Sequence, residues 1–216
     1  MAKTATAPFL PLAMDLGPMP SDDCMGGVLS SLSSLRERKE LCDVVLTVGT
    51  EQFFAHRAVL AAVSPHFYSL LSQPEHVGGD TVALTMDTIR NPEAMQAVLD
   101  YIYRPAFQHG APSSSWSDEV KCDILRLAQL FQIPQLRDEA ALLLTKGLST
   151  GNVLQRLRAC EEFDLHDARE RILEQLTAHP QALFMLASDP EVVQVPAVLQ
   201  ELMVRVLRLL GADKAY

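Results

Sequence analysis

Paired cysteines, a basic surplus and long apolar runs are the features that this sequence lacks. The four cysteines, Cys24, Cys42, Cys122 and Cys160, are far apart and form no C-x-x-C pair. A zinc site and a dense disulfide framework are therefore not expected. Scattered cysteines in a chain of 216 residues fit a reducing compartment, so we expect the cytoplasm, with the nucleus as an open alternative.

The charge balance excludes two classes of partner. Asp and Glu number 27 against 18 Lys and Arg, which gives a formal net charge of −9. Binding to nucleic acid or to an anionic membrane surface needs basic patches, so neither is expected. No apolar run reaches the length of a membrane-spanning helix. Prolines interrupt the mildly apolar residues 1–22, which we expect to be a disordered leader.

Signatures of catalysis are also missing. The sequence has no Gly-rich phosphate loop, no G-x-S-x-G and no H-E-x-x-H, and its six histidines are dispersed. Cys160 near His166 could be a thiol beside a base, but a core position is the expectation for a cysteine in a helical pair. His56, at a strand–helix junction, is expected to be structural. We therefore expect no enzyme, no catalytic residue, no metal and no cofactor.

What the sequence does contain is a dense run of short elements that starts near Leu41. Apolar and β-branched residues alternate over 44–48 and predict a strand. Gly49-Thr50 predicts a tight turn, after which residues 52–55 can return as the second strand of a hairpin.

Two short helices follow this hairpin directly. The first is predicted over 57–63, and Ser64-Pro65 ends it. Ser64 can cap the next helix with Pro65 in its first turn, and Phe67, Leu70 and Leu71 give that helix one apolar face.

An amphipathic helix is predicted before the first strand. Val28, Leu29, Leu32 and Leu35 recur there at helical spacing. On its own, such a helix has little core to bury its apolar residues against.

The rest of the chain adds one strand and a series of helices. Alternation around Val82 and Leu84 predicts the strand, and residues 72–80 and 104–115 predict loops. Helices are predicted over residues 91–103, 120–131, 134–147, 152–163, 165–178, 181–187 and 197–210.

The segment D-V-V-L-T-V-G followed by F-F-A-H-R-A-V-L-A-A-V-S-P-H-F resembles the BTB/POZ domain, and the resemblance covers residues 24–148. It implies an α+β fold, with a small three-stranded sheet flanked by helices. The N-V-L start and the A-C-E-E-F-D-L-H-D-A-R segment resemble the all-helical BACK domain of kelch-like adaptors. Residues 149–216 are shorter than a full BACK domain, so we expect a partial one, and no kelch repeat is found.

The resemblance implies a non-catalytic interaction module that forms a dimer. In the family the first helix packs across a two-fold axis, so an interface is expected at Val28, Leu29, Leu32 and Leu35. The positions of Asp43 and Arg57 match an acidic and a basic residue that meet near that interface. The alternatives stay open: packing of the helix within its own chain, two unrelated surface charges, or a heterodimer with a related BTB protein.

The resemblance also implies a substrate adaptor of a cullin-3 type ubiquitin ligase, which would present an unidentified substrate protein. The matching cullin contacts are Phe67, Tyr68, Leu71, Gln73, Glu75 and Phe131. A hydrophobic-x-Glu motif is common in the family's loop, whereas this chain has Gln73-Pro74-Glu75. The alternative is a ligase-independent scaffold, a competitor or a transcriptional corepressor adaptor.

Overall fold

The computed structural model describes residues 23–76, 81–103, 116–188, 192 and 196–209. Two expectations fall outside these ranges, namely the leader of residues 1–22 and the loop of residues 104–115. Within the described part of the chain, no helix is long and apolar enough to cross a lipid bilayer.

A sheet of three short strands lies at the centre of the first half. The strands β1 (Val44–Val48), β2 (Glu51–Ala55) and β3 (Val82–Thr85) follow the order β2-β1-β3. β1 pairs antiparallel with β2 and parallel with β3. Gly49 has a φ of +58°, which a two-residue hairpin turn needs at its first position. The predicted hairpin and the predicted third strand are both confirmed.

Six helices flank this sheet. They are α1 (Asp23–Glu37), α2 (Arg57–Val63), α3 (Pro65–Leu71), α4 (Pro92–Tyr103), α5 (Asp118–Leu130) and α6 (Pro134–Leu144). The predicted cap of α3 is confirmed, because Ser64 Oγ accepts a hydrogen bond from the backbone N–H of Phe67 at 3.1 Å. The same hydroxyl donates to the carbonyl of Phe131 at 2.5 Å, which ties the start of α3 to the end of α5.

Four further helices make up the second half. They are α7 (Val153–Glu162), α8 (His166–Thr177), α9 (Pro180–Ala187) and α10 (Pro196–Leu209). α7 packs on α8, and α9 and α10 both pack on α8. The expected α+β fold, a three-stranded sheet with flanking helices followed by an all-helical region, is confirmed.

One hydrophobic core runs through both halves. Buried residues of the sheet, such as Leu46, belong to the same cluster as Val153 of α7 and Ile172 of α8. The core is therefore continuous across the predicted boundary at residues 148 and 149, and the division into two domains stays a prediction.

A buried ion pair joins the two halves. The guanidinium of Arg156 on α7 donates to both carboxylate oxygens of Asp118 on α5, at 2.9 Å each. It also donates to the carbonyl of Leu144, the last residue of α6, at 2.9 Å and to that of Lys146 at 2.5 Å. The side chains of Arg156 and Asp118 are only 4% and 12% exposed. A planar guanidinium suits this site because it can satisfy four acceptors at once.

This environment lowers the pKa of Asp118. Burial alone would raise that pKa, but the hydrogen bonds from Arg156 and from the buried Lys121 outweigh burial. A carboxyl whose pKa is lowered on folding stabilises the folded state above its ordinary pKa of 3.8. That contribution is lost as the pH falls through the lowered value.

We expect Arg156→Met to lower the free energy of unfolding by about 3–5 kcal/mol, because it leaves the Asp118 carboxylate buried without its main partner. Urea denaturation at neutral pH measures this loss. Asp118→Asn should in addition flatten the decline in stability between neutral and acidic pH. The matched control is Arg38→Met, since the Arg38–Glu40 pair is more than half exposed at both side chains and should contribute less than about 1 kcal/mol. Equal losses for the two arginine variants would contradict a special role for the buried pair.

Candidate functional site

Helix α1 packs on its own chain through polar side chains. It contacts α4 and β2, and its most buried residues are Ser33 and Arg36. Arg36 donates to Asp100 of α4 at 2.6 Å, and its guanidinium lies 5.0 Å from the ring centroid of Tyr103. An ordinary amphipathic helix turns its apolar stripe to the core, whereas the most buried residues of α1 are polar.

The apolar side of α1 is correspondingly open. Val28 is 59% exposed, and Leu29, Leu32 and Leu35 are half-buried. Leu32 also packs against the edge of the core. The helix therefore packs on its own chain, which was one of the alternatives. Its apolar side chains nevertheless stay partly exposed.

A shallow apolar cavity of about 450 Å³ adjoins this helix. It is lined by Leu29, Leu32, Leu41, Asp43, His56, Ala58, Val59, Ala62 and Val63. We use the term α1 face for the apolar lining residues Leu29, Leu32, Leu41, Ala62 and Val63 together with Val28. An apolar surface of this kind on the outside of a protein is a candidate interaction site.

Leu41, like Ala62 and Val63, belongs to the α1 face but not to the interface predicted from the sequence. Leu41 is the one with an unusual backbone. Its side chain is 81% exposed, and its φ is +56°. A leucine in the left-handed region costs on the order of 1 kcal/mol or more. Because the side chain of Leu41 is exposed, burial in the described fold does not offset this cost. The only sequence signal was an isolated leucine between a charged stretch and a strand. Its strained, exposed placement points to a role at a contact.

Asp43 and Arg57 meet in the structure, which confirms the predicted pair. One carboxylate oxygen of Asp43 accepts the backbone N–H of Arg57 at 2.6 Å, and the other lies 3.7 Å from Nε of Arg57. Because Arg57 is the first residue of α2, Asp43 satisfies an N–H that the helix itself leaves free. Asp43 also lines the cavity at the α1 face. Its place in a dimer interface stays a prediction.

His56 has a structural role, as expected. Its backbone N–H donates to the hydroxyl of Tyr103 at 2.8 Å, and its Nδ1 lies 2.8 Å from the same oxygen. Nε2 lies 3.1 Å from the carbonyl of Glu40, which can only accept, so in the neutral ring Nε2 carries the hydrogen. Burial is the main cause that raises the pKa of Tyr103 to about 12, which keeps its hydroxyl protonated in this network.

The three cysteines whose side chains the structure describes do not offer an activated nucleophile. Cys42 Sγ lies 3.7 Å from Nε2 of His56, but burial raises its pKa and disfavours the thiolate. Burial also raises the pKa of Cys122 and of Cys160 to about 11. Cys160 is in the core, as expected, while His166 is exposed and pairs with Asp164 at 2.9 Å. In the ranges that the structure describes, no group of His, Cys, Asp and Glu could hold a metal ion.

The six candidate cullin contacts separate into two groups. Phe67, Leu71 and Phe131 are buried, and the rings of Phe67 and Phe131 stack with centroids 4.3 Å apart. These three side chains pack inside their own chain and are not accessible on its surface. This corrects their expected role as direct contacts.

The other three residues lie on the surface. Tyr68 of α3 is 63% exposed, and Gln73 and Glu75 are exposed in the segment that follows. Glu75 lies in a short 3-10 helix, Pro74–His76, whose last carbonyl accepts a hydrogen bond from Arg57. We use the term α3 surface for Tyr68, Gln73 and Glu75. Arg57 thus links the start of α2 to the position of this surface.

The chain is similar to known proteins over about two thirds of its length. It is 29% identical over 144 residues to mouse Kelch-like protein 28, which covers 65% of this chain and 23% of that protein. It is 32% identical over 146 residues to mouse Kelch-like protein 35, covering 67% of this chain and 24% of that protein. The chain thus spans about a quarter of the length of these curated relatives.

A solved structure, the BTB domain of zebrafish PATZ1, is similar with 25% sequence identity and a TM-score of 0.48, and the likeness covers 60% of this chain and 98% of that one. The family model described as BTB/POZ domain matches residues 32–148. That match includes the three strands, α2 to α6 and the loop that carries the α3 surface. It covers more than half of the 216 residues, so this chain belongs to the BTB/POZ family of protein-interaction modules.

Proposed function

We propose that this chain is a dimeric interaction module in which the α1 face joins two copies. The observation that carries the proposal is the open apolar α1 face, where Leu41 is 81% and Val28 is 59% exposed. Burying each such side chain against a partner contributes roughly 1.5–3 kcal/mol. Packing of α1 on its own chain through Ser33 and Arg36 supports this reading, because that contact leaves the apolar residues available.

We further propose that the dimer is an adaptor of a cullin-3 type ubiquitin ligase, with the α3 surface as the cullin contact. Membership of the BTB/POZ family and the likeness to Kelch-like proteins support it. An exposed tyrosine is a typical anchor in protein interfaces, and Tyr68 lies on α3, which packs inward through Phe67 on Phe131. Glu75 beside it supplies a charge that can select a basic partner.

A second candidate is a ligase-independent scaffold or competitor, including a corepressor adaptor. The observation that favours it is Gln73, a polar exposed residue at the position where the expected motif has a hydrophobic anchor. A missing anchor can weaken an interface by several kcal/mol, which is about a thousandfold in affinity. In either case we place the chain in the cytoplasm or nucleus, which the free thiols of Cys42, Cys122 and Cys160 support.

The α1 face is tested by Val28→Asp combined with Leu41→Asp. Both side chains are mostly exposed in the single chain, so we expect folding to be preserved and self-association to be lost at micromolar concentration. Light scattering after size exclusion should show the mass of the assembled species fall twofold or more. Circular dichroism checks the fold.

The matched control for the α1 face is Leu142→Asp, which places the same charge on an exposed leucine of α6. It should leave the mass unchanged. A wild-type chain that is monomeric at micromolar concentration, or an assembly that the paired substitution does not affect, would overturn this dimer interface.

The cullin contact is tested by calorimetry with the isolated N-terminal domain of cullin-3. Tyr68→Ala should weaken binding by roughly tenfold or more, because truncating an interface anchor typically costs about 2 kcal/mol. Glu75→Ala should weaken it less, with a loss that shrinks at high salt. Glu174→Ala, an exposed glutamate of α8, is the matched control and should bind like the wild type.

The result also separates the two candidate functions. Binding that Tyr68→Ala weakens supports the adaptor, and the next question becomes its substrate. No binding by the folded, dimeric wild type would reject the adaptor and leave the scaffold. Gln73→Leu or Gln73→Met should then create binding, if the missing anchor is the cause.

A further inference from the structure

One ion pair reaches both of the proposed surfaces of this chain. Asp43 lines the cavity at the α1 face, and its carboxylate accepts the backbone N–H of Arg57 at 2.6 Å. The side chain of Arg57 donates to the carbonyl of His76, the last residue of the 3-10 helix that contains Glu75. The side chain of Arg57 therefore connects the lining of that cavity to the residue beside Glu75 of the α3 surface.

The two contacts between Asp43 and Arg57 differ in strength. The hydrogen bond from the backbone N–H is short and charge-assisted, so it holds the start of α2. The second carboxylate oxygen lies 3.7 Å from Nε of Arg57, which is an ion pair without a hydrogen bond. The Asp43 side chain is 46% exposed in the single chain, so water competes for this oxygen. The guanidinium is thus the adjustable part of the connection.

A second copy at the α1 face would strengthen the ion pair. Packing on the apolar lining excludes water from the cavity, and Asp43 belongs to that lining. A carboxylate that has lost its water is costly without a charged partner, so Asp43 then holds the guanidinium of Arg57 more tightly. Because the nitrogens of a planar guanidinium keep fixed positions, holding Nε in place also directs Nη1 to the carbonyl of His76.

Residues 73–76 are the segment that responds to this change. The N–H of His76 donates to the carbonyl of Gln73 at 2.9 Å, and the N–H of Gln73 donates to Leu70 at a longer 3.4 Å. Hydrogen bonds within a 3-10 helix have poorer geometry than those of an α-helix. A further hydrogen bond from Arg57 to the last carbonyl of this short helix therefore has a marked effect on the position of Glu75.

We propose that Arg57 couples the two surfaces, so that dimer formation at the α1 face favours cullin binding at the α3 surface. This inference rests on the proposed function and adds a means of regulating it. Coupling between two binding sites is reciprocal, so cullin must strengthen the dimer by the same factor as the dimer strengthens cullin binding. Such couplings are typically about fivefold or larger. A single copy would then recruit cullin less well than an assembled one.

The test measures self-association of the full chain with and without the isolated N-terminal domain of cullin-3. Sedimentation velocity over a range of concentrations gives the dissociation constant of the wild-type dimer. A saturating amount of the cullin domain should lower this constant by roughly fivefold or more. The cullin domain run alone shows its own state of association.

Arg57→Lys separates coupling through the ion pair from a direct contact between cullin and the second copy. Lysine keeps the positive charge beside Asp43, but its single amino group cannot span Asp43 and His76 as two guanidinium nitrogens do. In this variant the cullin domain should change the dimer dissociation constant by less than about twofold. The matched control is Arg38→Lys, which makes the same exchange in an exposed ion pair and should keep the full coupling. Coupling that persists in Arg57→Lys would overturn the role of Arg57.

Hydrogen exchange on the wild type tests the connection without any substitution. Protection of the His76 amide, which donates to Gln73, should rise as increasing concentration converts monomers to dimers. Unchanged protection, or a dimer dissociation constant that saturating cullin does not alter, would contradict the coupling and leave both surfaces in place. A wild type that forms no dimer or binds no cullin would instead reject the proposed function, and this inference with it.

Discussion

Asp43 is the residue on which the arrangement of the first half depends. Its backbone N–H donates to Ala55 of β2 at 3.2 Å, and its carbonyl accepts from Val82 of β3 at 3.0 Å. Its carboxylate accepts the N–H of Arg57 at 2.6 Å. One residue at the start of the central strand therefore joins both outer strands and the start of α2. Backbone pairing alone could fix the strands, but only a side chain that accepts hydrogen bonds could also fix the helix.

Both candidate surfaces of the first half follow from this arrangement. With Arg57 held at the start of α2, the helix presents Ala62 and Val63 at its other end to the cavity of the α1 face. The side chain of Arg57 reaches the carbonyl of His76 and so fixes the segment that carries Glu75. The pair of Asp43 and Arg57 thus has a structural reason within one chain. A contact between copies at the same place would use a surface that is rigid before binding, which reduces the entropy lost on association.

Local patterns in the sequence predicted most of the secondary structure, because their causes lie within a few residues. The Ser64 cap, the turn at Gly49 and the alternation in β1 are examples. Contacts between distant residues were missed. Asp123 of α5 accepts from the N–H groups of Arg90 and Asn91, and such a link has no local signal.

Helical spacing placed Phe67 and Leu71 on one apolar face, and both are buried, whereas their expected role as contacts came only from the family resemblance. Phe131 lies in the core for a reason that has no local signal, because its ring packs on Phe67 of a distant helix. The strained Leu41 could not be recognised either, since its φ of +56° depends on how the chain leaves α1 and enters β1.

Polar contacts help to fix the first and the last described helix, beside the apolar contacts of Leu32 in α1 and of Val198 and Leu202 in α10. Arg36 holds α1 to α4 through Asp100, and Arg205 holds α10 to α8 through Glu170. A helix docked by its leucines must turn its apolar stripe inward, whereas a helix docked by arginines can keep apolar residues outside. The stability of the single chain then comes from the continuous core and the buried pair of Arg156 and Asp118. The outward apolar side chains contribute little to that stability, which agrees with the proposed contact of the α1 face with a second chain.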